Sequence, residues 1–290
     1  MPLWRPPSEG PNLIIQATLG CSFNACTFCS MYKIKDYATR PLSDIFADIE
    51  DAAKDWPDAT RVFLADGDAL AAPSDDLEQI LDKLIASFPD LQRVTCYATP
   101  QNLTKKSVDE LRRLREKRLS MVYLGIESGA DSMLKRIRKG SSKLMKNAML
   151  AADEAGIKIS ATVILGLGGK ALWREHIEGT AALINDIAPK FLSTLQLDLE
   201  SGQEPRFREA FAKVDGTEFE WQDDVGILQE LEYLLELLEP TRGVIFRSNH
   251  ASNALALAGN LPRDSEGLLA QVRAAQNNTD VLRPQYLRGL

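Results

Sequence analysis

Cysteine and histidine are scarce in this sequence, with four and two in 290 residues. Four cysteines are too few for the disulfide framework of a small secreted domain. A basic excess is also missing: 34 Lys and Arg face 41 Asp and Glu, a net charge of −7. Tight binding to a phosphate backbone draws on counterion release at a basic face, so a nucleic-acid partner is not expected. No run approaches the ~20 apolar residues that span a bilayer, and no membrane span is expected. The first residues, MPLWRPPSEGPN, lack the basic and then apolar order of a secretion signal. These absences point to a cytoplasmic protein. What cysteine there is lies clustered, with Cys21, Cys26 and Cys29 in one short segment. Clustered thiols suggest a metal in a reducing compartment.

With 44% hydrophobic residues the chain can bury a large core, as one barrel-like domain or two medium domains. The pattern along it decides between them. Short β-rich runs at Leu13 to Thr18, Arg61 to Ala65, Arg93 to Ala98, Ser120 to Gly125, Lys158 to Leu165 and Phe191 to Leu197 alternate with helical spacing. The helical stretches are Leu42 to Asp55, Ser74 to Ser87, Ser107 to Glu116, Ser142 to Ala155 and Leu172 to Ile187. Such alternation predicts an α/β fold with a parallel sheet, whose ligand sites lie beyond the carboxyl ends of the strands. After Leu197 the alternation stops. A polar segment, a helix near Val225 to Leu238, a strand near Val244 to Phe246, the polar run RSNHASN and a helix from Asp264 to Gln276 follow. We read residues 1–200 as the core and 201–290 as a C-terminal extension that caps its mouth.

The loops after the strands carry the candidate chemistry. The first reads GCSFNACTFCSMYK, a C-x4-C-x2-C arrangement. Three thiolates in so tight a loop suit one corner of an iron–sulfur cluster and leave one iron open to bind a molecule. Structural zinc is the competing metal, but it needs a fourth ligand from Cys96 or from the distant His176 or His250. Further along come ADGDAL with Asp66, Gly67 and Asp68, GIESG with Glu127, and LGLGG with Gly166, Gly168 and Gly169. Glycine lets a ligand approach the backbone closely, and it is also the ordinary residue of turns.

On these residues the chain, from about Leu13 to Leu197, resembles the radical S-adenosylmethionine (SAM) superfamily. Phe28, just before the third cysteine, occupies the aromatic place of that family's cysteine motif. One extra residue separates the first two cysteines, where the family usually has C-x3-C-x2-C. The resemblance implies a partial (β/α)6 TIM-like barrel with the C-terminal α/β extension as its cap. It also implies a [4Fe-4S] cluster on Cys21, Cys26 and Cys29, and reductive cleavage of SAM to a 5′-deoxyadenosyl radical that abstracts a hydrogen atom from substrate. By the same resemblance Gly67 permits close approach and Asp68 pairs with the SAM ammonium. Glu127 then accepts from the ribose hydroxyls, Lys139 in LKRIRKG faces the SAM carboxylate, and backbone groups of Leu165 and Gly166 read the adenine. Arg136 and Arg138 stand beside Lys139 and read equally well as a solvated helix face. A low-potential electron donor such as flavodoxin or ferredoxin is the implied partner.

Cys96, at the end of the third strand, is a candidate hydrogen-atom donor or else a small buried strand residue. His250 in RSNHASN is a candidate for proton transfer, in a run that either closes the barrel over a polar substrate or is a solvated loop. His176 falls within the fifth helix and reads as a surface residue. The chain has no second cysteine cluster and no D-x-H-x-x-G cobalamin motif. These absences disfavour sulfur insertion, cobalamin-dependent methyl transfer and, with the acidic charge, RNA modification. A single-cluster enzyme acting on a small molecule, lipid or peptide is the expectation, and a non-enzymatic iron–sulfur or zinc protein, either an electron carrier or an adaptor, is the alternative.

Overall fold

In the computed structural model, which describes residues 3–200 and 202–289, strands and helices alternate along most of the chain. The elements in chain order are β1 (Leu13–Gln16), β2 (Thr18–Leu19), β3 (Ala38–Thr39), α1 (Leu42–Asp55), β4 (Arg61–Ala65), α2 (Ser74–Ser87) and β5 (Arg93–Ala98). Next come α3 (Pro100–Lys105), α4 (Val108–Glu116), β6 (Leu119–Glu127), α5 (Asp131–Arg136), α6 (Ser142–Glu154), β7 (Lys158–Leu165) and α7 (Gly169–Asp186). The chain finishes with β8 (Phe191–Gln196), α8 (Glu204–Ala212), α9 (Asp224–Leu237), β9 (Val244–Ser248), β10 (Leu257–Leu261) and α10 (Ser265–Asn277), apart from short 3₁₀ turns.

Two compact units emerge. The first comprises residues 1–24, 29–124 and 147–159, and the second residues 25–28, 125–146 and 160–290. In the first unit β1, β4, β5 and β6 pair in that order, all parallel, with Leu13 opposite Val62, Leu64 opposite Cys96 and Cys96 opposite Val122. In the second, β7, β8 and β9 are parallel and β10 closes antiparallel onto β9. The strand interiors are apolar because both faces are covered: the neighbours Phe63 and Leu64, which point to opposite faces, and Val94 in the first unit, with Ala161, Val163 and Leu192 in the second, are fully buried. Helix starts follow local chemistry. Ser107 and Glu110 form a reciprocal capping box at α4, and Asp223 accepts from Gly226 N at 2.8 Å to open α9.

The six predicted strands and five predicted helices of the core are present, with shifts at their ends. The first strand stops its ladder at Gln16, and Thr18–Leu19 instead pairs with Ala38–Thr39 across the base of the cysteine segment. The tail corrects the reading more substantially. It holds three helices and two strands, where the pattern suggests two helices and one strand. Charged residues mask α8, although Phe207, Ala210 and Phe211 are buried at helical spacing. Gly259 and Asn260 interrupt the period of β10. Among the described residues no helix is long and apolar enough to cross a membrane.

The loop after β6 packs on α7 at two glycines. A Cβ at Gly129 would lie 2.2 Å from the Gly179 carbonyl oxygen, and one at Gly179 would lie 2.8 Å from Ala130. Overpacking of this kind costs about 1–3 kcal/mol. Gly179→Ala is therefore expected to lower stability by that amount despite the better helix propensity of alanine, as read by urea denaturation.

Candidate functional site

The cysteine segment runs between β2 and β3. Gly20 opens it with φ +66°, and a Cβ there would meet the carbonyl oxygens of Lys35 and Asp36 at 3.0 Å. The segment folds on itself: Asn24 Nδ2 donates to Tyr32 O (2.8 Å) and Lys33 Nζ to Asn24 O (2.6 Å). All four cysteines are reduced thiols; Cys21 and Cys29 are half-buried, while Cys26 and Cys96 are buried. Among the described residues no three His, Cys, Asp or Glu side chains form a group that could hold a metal ion. The chemistry of the donor set nevertheless fits an iron–sulfur cluster, three thiols in one short loop being the soft ligands it takes. The residues that zinc would have to recruit are committed elsewhere. Cys96 is fully buried in β5, and His176 and His250 hold neighbours described below.

Within the first unit the loop after β4 is bound tightly to the cysteine segment. Asp66 is fully buried; its Oδ2 pairs with Lys35 Nζ at 2.7 Å, itself only 2% exposed, and lies 3.4 Å from Gly20 N. Asp68 is also fully buried and accepts from Ser22 Oγ, next to Cys21, and from Asn102 Nδ2 on α3. Gly67 backs onto Tyr32, whose ring would stand 2.6 Å from a Cβ there. Burial, then the Asp66 charge, push the Tyr32 phenol up. Burial likewise raises the Cys96 thiol, with Asp68 adding to it, so this thiol is held neutral. The Lys35–Asp66 pair is absent from the sequence reading, because a lysine and an aspartate 31 positions apart carry no local signal.

Three predicted residues meet in the second unit. Lys139 Nζ lies 3.0 Å from Glu127 Oε1 and 5.9 Å from the Phe28 ring centroid. Thr27 N donates to Ile137 O at 3.2 Å, fixing the middle of the cysteine motif to the turn that carries Lys139. Glu127 has φ +59°, and its carboxylate folds back over Gly125, where a Cβ would be 2.0 Å from Oε1. Arg136 is not a solvated face. It is 2% exposed, with its guanidinium donating to Phe211 O and Asp215 Oδ2 over the Phe211 ring. Arg138 is exposed.

Leu165 and Gly166 close β7. The Leu165 carbonyl accepts from Leu197 N (2.8 Å), and Gly166 N–H, at φ +80°, donates to Glu230 Oε1 (2.9 Å). Beside them sits His176, fully buried in α7, which corrects the surface reading: the three-residue spacing of the helix faces it to the sheet. Its Nε2–H donates to Ile164 O (3.0 Å), its Nδ1 accepts from Ser128 Oγ (2.8 Å), and Glu230 Oε1 stands 3.5 Å from Nε2. Because a carbonyl can only accept, the ring is the neutral Nε2–H tautomer. Burial lowers its pKa from 6.5 to about 4 and raises that of Glu230 from 4.5 to about 8.

His250 lies elsewhere in this unit. Its Nδ1 accepts from Ser252 N (3.1 Å), and burial followed by Arg283 lowers its pKa. The RSNHASN run is anchored rather than solvated. Ser248, Ser252 and Asn253 are buried, and the Asn253 amide bonds Thr194 O, Ser248 Oγ and Gln196 N.

Parallel β-α units with ligand-type residues in the strand-end loops define an α/β protein of the kind that builds its site beyond the sheet. The family model "Radical SAM superfamily" matches residues 15–184. The chain belongs to the radical SAM superfamily. It is 25% identical over 193 residues to the tRNA-2-methylthio-N(6)-dimethylallyladenosine synthase of Bordetella petrii, covering 63% of this chain and 39% of that protein. The Haemophilus influenzae synthase of the same name is 26% identical over 193 residues, with 63% and 40% covered. The chain thus spans about two fifths of these curated relatives. Among solved structures, coproporphyrinogen III oxidase of Escherichia coli, a radical SAM enzyme, superposes with TM-score 0.56 at 17% identity, over 78% of this chain and 52% of that one. The radical SAM methyltransferase TsrM of Kitasatospora setae, with cobalamin and [4Fe-4S] cluster bound, gives TM-score 0.52 at 15% identity, over 64% and 36%. At these identities the structural likeness establishes the fold.

Two stability experiments follow from the buried ionisable groups. Removing one partner of a buried ion pair strands the other charge, at a cost of about 3–5 kcal/mol; Lys35→Met is expected to destabilise the fold by that amount in urea denaturation. The second concerns pH. Between pH 4.5 and 8 the folded protein keeps a proton on Glu230 that the unfolded chain releases, so this group makes stability fall as pH rises. Between pH 4 and 6.5 the unfolded chain holds a proton on His176 that the folded protein lacks, so this group makes stability rise. The two oppose each other up to pH 6.5. Above it the Glu230 contribution stands alone, a fall of about 2 kcal/mol by pH 8. Glu230→Gln is expected to flatten that part of the stability–pH curve.

Proposed function

We propose that this protein is a single-cluster radical SAM enzyme. Cys21, Cys26 and Cys29 ligate a [4Fe-4S] cluster in this reading, and Gly67, Asp68, Glu127, Lys139, Leu165 and Gly166 form the SAM site with Phe28 against it. The observation that carries the reading is the meeting of Phe28, Glu127 and Lys139, chosen from sequence for one ligand and found around one ammonium group. When bound, the cluster supplies the electron that cleaves SAM into methionine and a 5′-deoxyadenosyl radical.

The protein's own groups have separable tasks. Lys139 offers the one cation in that trio, suited to a carboxylate, while Glu127, an acceptor only when ionised, suits the ribose hydroxyls. Asp68, held by Ser22 and Asn102 beside the cysteine segment, is the partner for the SAM ammonium. Gly67, packed on Tyr32, keeps that loop flat against the same segment. By the family resemblance, backbone groups of Leu165 and Gly166 read the adenine. Residues 201–290 serve as the cap that excludes water from a reactive intermediate. Within that cap, His250 is the candidate for proton transfer. Of the two roles read from the sequence, Cys96, sealed in β5, fits the small buried strand residue better than the thiol hydrogen donor. The substrate is a small molecule, lipid or peptide, and a flavodoxin or ferredoxin in the cytoplasm supplies electrons. A non-enzymatic carrier would need no nucleoside site, and the Phe28–Glu127–Lys139 meeting favours the enzyme.

The test is anaerobic reconstitution with iron and sulfide, then dithionite and SAM, with 5′-deoxyadenosine read by chromatography. The wild-type chain is expected to form it. Absence of both SAM binding and 5′-deoxyadenosine would remove the proposal, and a colourless protein holding one zinc would favour the adaptor. Cys26→Ala is expected to lose the brown chromophore and all product while keeping its far-ultraviolet circular dichroism.

A further inference from the structure

We infer that Glu230 and His176 are positioning residues for the SAM loops, with Glu230 delivered by α9 from the C-terminal extension. This rests on the reading of those loops given above and adds a role for the extension beyond covering the site.

The glycine turn after β7 is fastened to residues 220–230 by three hydrogen bonds. Gly166 N–H donates to Glu230 Oε1 (2.9 Å), Lys170 N–H donates to Glu220 O (3.0 Å), and the Gly169 carbonyl accepts from Gln222 Nε2 (3.3 Å). Gln222 Nε2 also donates to Glu230 Oε2, so the two side chains hold each other. Packing tightens the same joint, since a Cβ on Gly166 would come within 2.8 Å of Ile227 Cδ1, one turn before Glu230 on α9. From Ile164 O the hydrogen bonds run through the His176 ring to Ser128 Oγ, and Ser128 is the neighbour of Glu127. Ser128 Oγ in turn accepts from Ala130 N (3.1 Å).

Filler alone would not use these residues. A carboxyl and an imidazole with no exposure are costly to bury, and leucine or methionine would fill such volumes without that cost. What an apolar side chain cannot do is accept from Gly166 N–H or join the Ile164 carbonyl to Ser128. The two side chains thereby fix the backbone of the two loops that carry Leu165 and Gly166 on one side and Glu127 on the other. His176 and Glu230 are the titratable groups of this network, and Ser128 and Gln222 complete its side chains.

The test uses the full-length chain. SAM affinity of the anaerobically reconstituted protein is measured by equilibrium dialysis, and hydrogen–deuterium exchange of the protein as purified is followed in peptides covering residues 126–130 and 164–170. Glu230→Ala is expected to weaken SAM binding about tenfold and to speed exchange in both peptides. Glu230→Gln keeps an acceptor for Gly166 N–H and is expected to restore both. Glu232→Gln, on the same helix and paired with Arg273 at the surface, serves as the unaffected control. Wild-type affinity in Glu230→Ala, or failure of Glu230→Gln to restore it, would overturn the inference. Should Glu230→Ala fail to fold, Ser128→Ala removes the hydroxyl that bonds His176 and accepts from Ala130 N, and unchanged SAM affinity and exchange in that variant would overturn it equally. If the wild-type chain binds no SAM, the cofactor reading fails and this inference with it. If the wild type binds and the variants match it, this inference alone fails.

Discussion

Beyond the end of a parallel strand the ladder stops, and the backbone donors and acceptors of the next loop need other partners. That requirement governs this protein. In the first unit it brings Asp66 inward, where Oδ2 lies 3.4 Å from Gly20 N and also pairs with Lys35, while the buried Asp68 accepts from the side chains of Ser22 and Asn102. In the second unit it brings in the Glu230 carboxyl for Gly166 and the His176 ring for Ile164. Asp66 and Glu230, two of the fully buried carboxyl groups, thus accept from loop N–H groups that the sheet itself leaves unsatisfied.

The same requirement links stability to the site. An unpartnered buried carboxylate or amide costs more than a lost hydrogen bond gains, so the polar groups near the strand-end loops cannot be exchanged singly. Glycine is used where backbone must come close: Gly125 leaves room for the Glu127 carboxylate, and Gly129 for the backbone of α7. These positions tolerate no side chain for steric reasons that hold whether or not a ligand is bound.

Family membership sets the chain among proteins of diverse chemistry. Its relatives include RNA-modifying synthases of which it spans about two fifths, and structural neighbours that oxidise a porphyrinogen or transfer a methyl group. What the structural neighbours share with the chain is the fold. A common fold carries many activities through the sites built on it. The extension after residue 200 consists of α8, α9, β9, β10 and α10.

The core strands and helices were legible because alternation and helical spacing are local properties, repeated over enough residues to stand above noise; α1, α2, β4, β5 and β7 have the predicted ends. The cysteine motif and the glycine loops were legible for the same reason, as short contiguous patterns. The six-residue helices α3 and α5 were too short to show a period, and β10 was broken by Gly259. The placement of His176 was legible only in part. Helical spacing puts His176 beside the buried Thr180 and Leu183, but the residues that make a buried imidazole tolerable, Ser128 and Glu230, lie 48 positions before it and far beyond it in the chain. The core strands and the longer core helices, which repeat a local period, were set by the sequence alone, which also marked the cysteine and glycine loops. Only the tertiary structure decided which distant polar groups meet, because a hydrogen bond depends on position in space and leaves no period along the chain.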